Sequence, residues 1–363
     1  MWEKKPRGWM ITAAVAVAAI VAGCVGKDRG EKPIDASDIS QALEQAVDQT
    51  IIPTVQAFKL EVSTLEQSAE AFCNTPSNDA LSALQNGWLI TFEQWYALSI
   101  YNFGPLNDDI VFPAYTFIDS LRLRGTNYLE TVRSEIASDI DDSITLDADY
   151  FAAKTFQNVG LLAVESASFE TSTAEHSQQA TDILADFNNQ PRKCDVLLSL
   201  TGQLMRWADY TEEGWLTQYK NSAESYRSLF LNDQLEDGSA PITQLIVAVQ
   251  EFLDYLQARN VVNVAAPLAG NSWAAISSTI DAVEELLQGS EHTTISLFDI
   301  MIATGNQNAV DTVQGNIAQI RSAIASEDAD MLEITLGYLD GNFKREIPDS
   351  LDVELGINFS DGD

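Results

Sequence analysis

The sequence predicts an all-α protein of two helical bundles dividing near residues 188–192. Three observations carry that reading. Apolar residues recur every three or four positions along most of the chain, the spacing of one helix face. No convincing run of alternating apolar and polar residues marks a strand. Proline, glycine and aspartate clusters fall between the periodic stretches, where turns belong. No short internal period appears, which argues against a solenoid.

The chain opens with Lys4, Lys5 and Arg7, then an apolar run of 13 residues from Met10 to Ala22. A bilayer span needs about 20 apolar residues, so this run reads as a signal peptide rather than a short membrane anchor. It ends Val21-Ala22-Gly23-Cys24, which matches a lipobox, the signal for lipidating the cysteine. Residues 1–23 are therefore expected to be a lipoprotein signal peptide and 24–36 a lipidated tether attached to the membrane through Cys24. Val25 stands where an aspartate would signal inner-membrane retention. The expected location is the outer membrane, with the body of the protein in the periplasm. Residues 37–190 then form an N-terminal helical bundle, and 191–363 a C-terminal one.

The first helix is expected over 37–72. Ser77 can cap the next, whose stripe Leu81, Leu84, Trp88, Phe92, Trp95 and Leu98 has spacings of 3, 4, 4, 3 and 3. Phe103-Gly104-Pro105 ends it. Trp88, Trp95 and Trp207 read as core residues or, less simply, as the lining of a cleft. Asp139-Ile140-Asp141-Asp142-Ser143 lacks the glycine and glutamate of a calcium loop and is expected to be a solvated turn. Helices follow over 147–170 and 173–187. Pro191 opens a long helical stretch toward Phe230. Pro241 suits the first turn of a helix through Ile242, Leu245, Ile246, Val249, Leu253 and Leu256. The last helices are expected over 271–289, 306–325 and 328–340.

The formal net charge is −34, and loss of residues 1–23 with Glu3, Lys4, Lys5 and Arg7 makes it −36. Such a surface repels nucleic acid and attracts cations or basic partners, and it also suits solubility in a salty habitat. The apolar content of 45% excludes a disordered acidic tail. With Cys24 lipidated, Cys73 and Cys194 remain as an even pair in an oxidising compartment, and a disulfide is expected. Closing that loop of 121 residues would stabilise the fold by about 4–5 kcal/mol in the chain-entropy model.

Only two histidines occur, His176 and His292, with no HExxH and no partner at helical metal spacing. His176 reads as a surface residue, and His292 suits a helix end. No GxSxG or phosphate-loop pattern occurs. Glu165 continues the apolar spacing of Val159 and Leu162. Facing the core, it must be paired, protonated or bound to a cation, because a bare buried carboxylate is costly. If the stripe drifts, it reaches solvent instead. Arg122 and Arg124 can pair with nearby carboxylates or face a cleft between the bundles.

Five segments taken together resemble the imelysin family of exported bacterial proteins, also called the M75 peptidase family. They are Phe72-Cys73-Asn74-Thr75-Pro76-Ser77 with Trp88, Trp95 and Phe103-Gly104-Pro105; Arg192-Lys193-Cys194; Gly270-Asn271-Ser272-Trp273; the ending Gly356 to Asp363; and Gly160 to Glu165. The last stands in the place of the family's GxHxxE motif. The resemblance implies two related helical bundles with a functional site between them around that motif, and a link to iron uptake or regulation. Gly160 and Glu165 keep the pattern, but Leu162 stands where histidine is expected. Leucine neither ligates metal nor transfers a proton, so the resemblance does not carry peptidase chemistry over, and no catalytic residue is assigned. Glu165 remains the metal-ligand candidate for iron or another hard divalent cation, with Asn358, Asp361 and Asp363 able to converge on it. The resulting expectation is an iron-uptake-linked binding or accessory lipoprotein with an iron-transport or periplasmic protein partner. The alternatives are a non-catalytic interaction scaffold or, further off, a metallopeptidase.

Overall fold

The computed structural model describes residues 34–120, 126–232, 235 and 238–355. The expected signal peptide over residues 1–23, Cys24, Arg122, Arg124, Asn358, Asp361 and Asp363 lie outside the described residues.

Helix α1 (Ala36–Ala46) starts where the Asp35 side chain accepts from the Ser37 amide. It passes through a π turn at Val47–Ile51 into α2 (Ile52–Asn74). Ser77 caps α3 (Asn78–Leu98) by accepting from the Ala80 amide at 3.1 Å. The first half continues with α4 (Ala114–Ile118), α5 (Leu129–Asp141), α6 (Ala148–Ala152), α7 (Leu161–Phe169), α8 (Ala180–Asn189), α9 (Arg192–Leu216) and α10 (Tyr226–Phe230). The second half holds α11 (Pro241–Ala258), α12 (Val261–Val264), α13 (Ser272–Gln288), α14 (Leu297–Ala303), α15 (Gln307–Ala325), α16 (Ala329–Lys344) and α17 (Glu346–Leu351). There is no strand, and no helix long and apolar enough to cross a membrane, among the described residues.

The expected stripes point inward. Leu81, Leu84, Trp88, Phe92, Trp95 and Leu98 are all buried, as are Ile242, Leu245, Ile246, Val249, Leu253 and Leu256. Trp88 and Trp95 are core; Trp207 is half-buried and stacks on Phe117 at 4.8 Å between centroids. Helix α2 packs along both α3 and α9, α13 packs against α3, and α16 packs against α11 and α15. Although α9 opens at the expected division of the chain, it lies against α2, α5, α6 and α7 of the first half. The Cys73–Cys194 disulfide joins the end of α2 to the start of α9.

Three segments differ from the sequence reading. The stretch 147–170 is broken into α6, a short 3-10 turn and α7. The break before α7 falls at Gly160, whose φ of +82° cannot sit inside a right-handed helix. The stretch 173–187 becomes helical only at Ala180; before it, Thr171 bonds back to Ser177 and His176 takes a φ of +46°. The stretch from Pro191 to Phe230 stops at Leu216 and resumes for one short helix. Sequence periodicity also missed α4, α5, α12, α14 and α17.

The acidic segment at 139–143 is a solvated turn only in its second part: Asp141, Asp142 and Ser143 are exposed at and beyond the end of α5, while Asp139 and Ile140 are buried. Asp139 is on α5 and only 2% exposed. It accepts from Tyr150 Oη at 2.7 Å and from Lys154 Nζ at 3.0 Å. Fold-level proximity supplies the cation that makes its burial affordable. The adjacent pair Arg192-Lys193 has divided duties. Arg192 donates to the carbonyls of Asp139 and Ile144, near the negative end of α5. Lys193 is fully buried and donates to Asp186 Oδ2 at 2.7 Å and the Glu170 carbonyl at 2.8 Å.

Candidate functional site

The motif residues sit at the start of α7, whose residues Leu161 to Ser168 are all buried. Gly160 is the residue before the helix, and its missing side chain is a packing requirement. A Cβ there would lie 2.5 Å from the Ile118 carbonyl oxygen and 2.6 Å from that of Phe117. The end of α4 is thus pressed directly onto the entry of α7. Two tryptophans of α3 fix the surroundings. Trp88 Nε1 donates to the Leu161 carbonyl at 2.9 Å, and Trp95 Nε1 donates to Asp119 Oδ2 at 3.0 Å.

Leu162 is 2% exposed and Glu165 is 0% exposed. The core-facing reading of Glu165 therefore holds, and the drifting stripe does not. Its Oε1 accepts from the backbone amides of Leu268 at 2.9 Å and Ala269 at 2.7 Å. These amides belong to the loop between α12 and α13, so one carboxyl oxygen ties α7 to the second half of the chain. Its Oε2 is buried and has no hydrogen-bond partner among the described residues; Ser120 Oγ and Asn158 Oδ1 are in the same condition.

Burial pushes the Glu165 carboxyl up to about 8, the two amides pull it down, and the nearby Glu170 and Asp119 carboxylates raise it further. At neutral pH it is mostly the neutral acid. Burial therefore favours the protonated carboxyl, with Oε1 held by two backbone amides. In that state Glu165 is a hydrogen-bond donor through its protonated oxygen and does not serve as an anionic ligand. A cation entering here must displace the proton, which makes any such binding steeper as pH rises.

Glu170, at the end of α7, is held differently. Arg133 donates to both its oxygens, at 2.9 and 2.5 Å, and Ser166 Oγ donates at 2.7 Å. This bidentate pair anchors the C-terminal end of α7.

Among the described residues, no group of three or more His, Cys, Asp or Glu side chains is placed to hold a metal ion. His176 is half-buried, with Nδ1 3.4 Å from the Thr171 carbonyl. His292 is exposed beside Glu291. Neither contacts Leu162 or Glu165 by any hydrogen bond. Sequence reasoning missed Asp119, a buried carboxylate directly after the apolar pair Phe117-Ile118, and the Leu268 and Ala269 amides. The first left a faint signal as an acid in an apolar run; backbone amides leave none.

A model of the imelysin family, peptidase M75, matches residues 51–348. An imelysin-like protein from Psychrobacter arcticum 273-4 shares the fold with a TM-score of 0.68 and 16% identity, over 90% of this chain and 100% of that one. A protein provisionally assigned as an iron-regulated protein A precursor, from Parabacteroides distasonis ATCC 8503, superimposes with a TM-score of 0.55 and 12% identity, over 89% of this chain and 97% of that one. No curated protein matches the sequence.

Proposed function

Because the chain belongs to the imelysin family, we propose that it is a membrane-anchored periplasmic lipoprotein acting in iron uptake as a binding or accessory protein, not as a peptidase. The observation that carries the choice is the buried Leu162–Glu165 pair on α7. A metallopeptidase needs a ligand set, commonly histidine-rich, and a base able to activate water. Here the histidine position is an apolar side chain in the core, and the glutamate is buried, its carboxyl is pushed up to about 8, and its Oε1 already takes two backbone amides. The iron link rests on the family and on the iron-regulated relative from Parabacteroides distasonis. The anchoring rests on the lipobox at Cys24, which also supports an outer-membrane location.

The same occupancy of Oε1 favours, as a second reading, an interaction protein that keeps the family fold without a metal site. Titration of the mature chain with ferrous and ferric ions, alongside Glu165→Gln, separates the two. Stoichiometric binding lost in the variant supports the iron-binding role with Glu165 as a ligand. Absence of binding in both proteins sinks direct metal binding and leaves the accessory scaffold. Chelator-sensitive proteolysis by the wild type would overturn the non-peptidase reading. Membrane fractionation of Cys24→Ser tests the anchor: the variant should leave the membrane fraction.

A further inference from the structure

On α16, Met331, Ile334 and Tyr338 follow one another at spacings of three and four, and they are 45%, 48% and 53% exposed. That spacing puts them on one helix face, so three large apolar side chains form a ridge open to solvent. The fold does not need them there. Leu332, Leu336, Leu339 and Phe343 already supply the buried face of α16, and the outer face of such a helix is ordinarily polar. Neighbouring helices close both edges of the ridge. Toward α11, Gln257 covers Gly337, where a Cβ would lie 2.6 Å from Gln257 Nε2. Toward α15, Asn316 donates to Asn342 Oδ1 at 2.8 Å. Between these contacts Tyr338 makes no hydrogen bond or ring contact among the described residues. Contiguous exposed apolar surface of this kind marks an interaction site.

The charges along α16 are ordered. Asp330 and Glu333 lie in its first two turns, and Arg345 directly follows its last residue. All three are exposed and make no ion pair among the described residues; Lys344, beside Arg345, holds Asp340 at 3.1 Å. The Arg345 side chain folds back along the helix, with a guanidinium nitrogen 3.5 Å from where a Gly341 Cβ would be. The cation therefore sits at the end of the ridge. Acid, apolar ridge and base in that order make a surface complementary to itself when turned end for end. An interface with two-fold symmetry requires this self-complementarity. A two-fold axis at Tyr338 sets Tyr338 against its own copy and each Arg345 against the other copy's Asp330–Glu333 turns. The two helix dipoles then run antiparallel, which is also favourable.

We propose that α16 is a self-association surface, on which a second copy of this chain docks its own α16 antiparallel about an axis at Tyr338. The ridge from residue 331 to 345 is about 21 Å long at about 1.5 Å per residue. One helix face of that length buries less than the roughly 800 Å² per partner of a standard stable interface, so the dimer is weak, with a Kd on the order of 10–100 μM. The proposal does not depend on the iron-linked reading.

The test is sedimentation velocity of the unlipidated mature chain from about 5 to 500 μM, a range that brackets the expected Kd. A concentration-dependent shift from monomer to dimer is expected. Ile334→Glu, at an exposed position, should weaken it at least about tenfold, equivalent to about 1.4 kcal/mol. Arg345→Glu should weaken it severalfold, and adding Glu333→Arg to that variant should restore it, which loss of folding would not allow. Tyr338→Cys should cross-link to itself under mild oxidation, whereas Thr312→Cys, exposed on α15, should not. A wild-type chain that stays monomeric throughout the range would overturn the proposal. So would a dimer that Ile334→Glu and Arg345→Glu leave unchanged, or equal cross-linking at 312 and 338. A monomeric wild type that dimerises once residues 356–363 are deleted would overturn it in favour of that segment as the native occupant of the ridge.

Discussion

Replacing Glu165 by glutamine should stabilise the protein at alkaline pH and leave it nearly unchanged in mild acid. The folded carboxyl titrates at about 8, against an ordinary value of 4.5. The sign follows from proton counting. Between those values the folded state keeps a proton that the unfolded state has lost, so stability falls as pH rises through this window. The contribution is fully present below about 4.5 and gone above about 8. A gap of about 3.5 pH units corresponds to a ceiling of about 5 kcal/mol, at about 1.4 kcal/mol per unit. The residue is fully buried, so solvent does not screen the effect away. Glutamine retains an Oε1 that accepts from Leu268 and Ala269, and it has no proton to lose. Urea unfolding followed by tryptophan fluorescence reads the difference well, because Trp88, Trp95 and Trp215 are fully buried. The two proteins should have similar midpoints near pH 5, and the variant should exceed the wild type by several kcal/mol near pH 9. A variant midpoint that tracks the wild type across that whole range would refute the argument. So would a variant less stable at every pH, which would mean that Oε2 accepts a bond essential to the ionised form.

Three further perturbations test the frame around the site. Gly160→Ala forces a side chain at φ +82° against two carbonyl oxygens of α4; a loss of about 2–4 kcal/mol is expected by chemical denaturation. Lys193→Ala leaves Asp186 buried without its cation, and a loss of about 3–5 kcal/mol is expected. Burial alone would raise the Asp186 carboxyl, but Lys193 and Ser172 hold it below its ordinary value. Its stabilising contribution is therefore present above its unfolded value of 3.8 and lost as pH falls through the lower folded one, and Lys193→Ala should remove that acid-side dependence. Reduction of Cys73–Cys194 frees a loop of 121 residues and should lower stability by about 4–5 kcal/mol, measured as the shift in urea midpoint with and without a reductant.

Much of the helical architecture was legible because helix formation repeats a local spacing. The stripe from Leu81 to Leu98 and the one from Ile242 to Leu256 name their own buried faces, and Ser77 and Pro241 name their starts. Where the spacing misled, short-range chemistry was outvoted by packing. A positive φ at Gly160 breaks the chain between the 3-10 turn and α7, against the end of α4, so the stretch from 147 to 170 cannot run as one rod. Gly160 was visible as a glycine, but the carbonyls of Phe117 and Ile118 that demand it were not.

The sequence by itself determined the helical class, the inward stripes and the Cys73–Cys194 pairing. Each depends on residue type, or on neighbours within a few positions along the chain. Tertiary structure alone decided what became of the buried acids. Asp139, Asp186, Glu165 and Glu170 look alike as carboxylates in an acidic chain. Asp139 and Asp186 met lysines, Glu170 met Arg133, and Glu165 met two amides from a loop over 100 residues away. The charge state of a buried carboxyl follows from what surrounds it in three dimensions, because desolvation and Coulomb forces act through space and not along the chain.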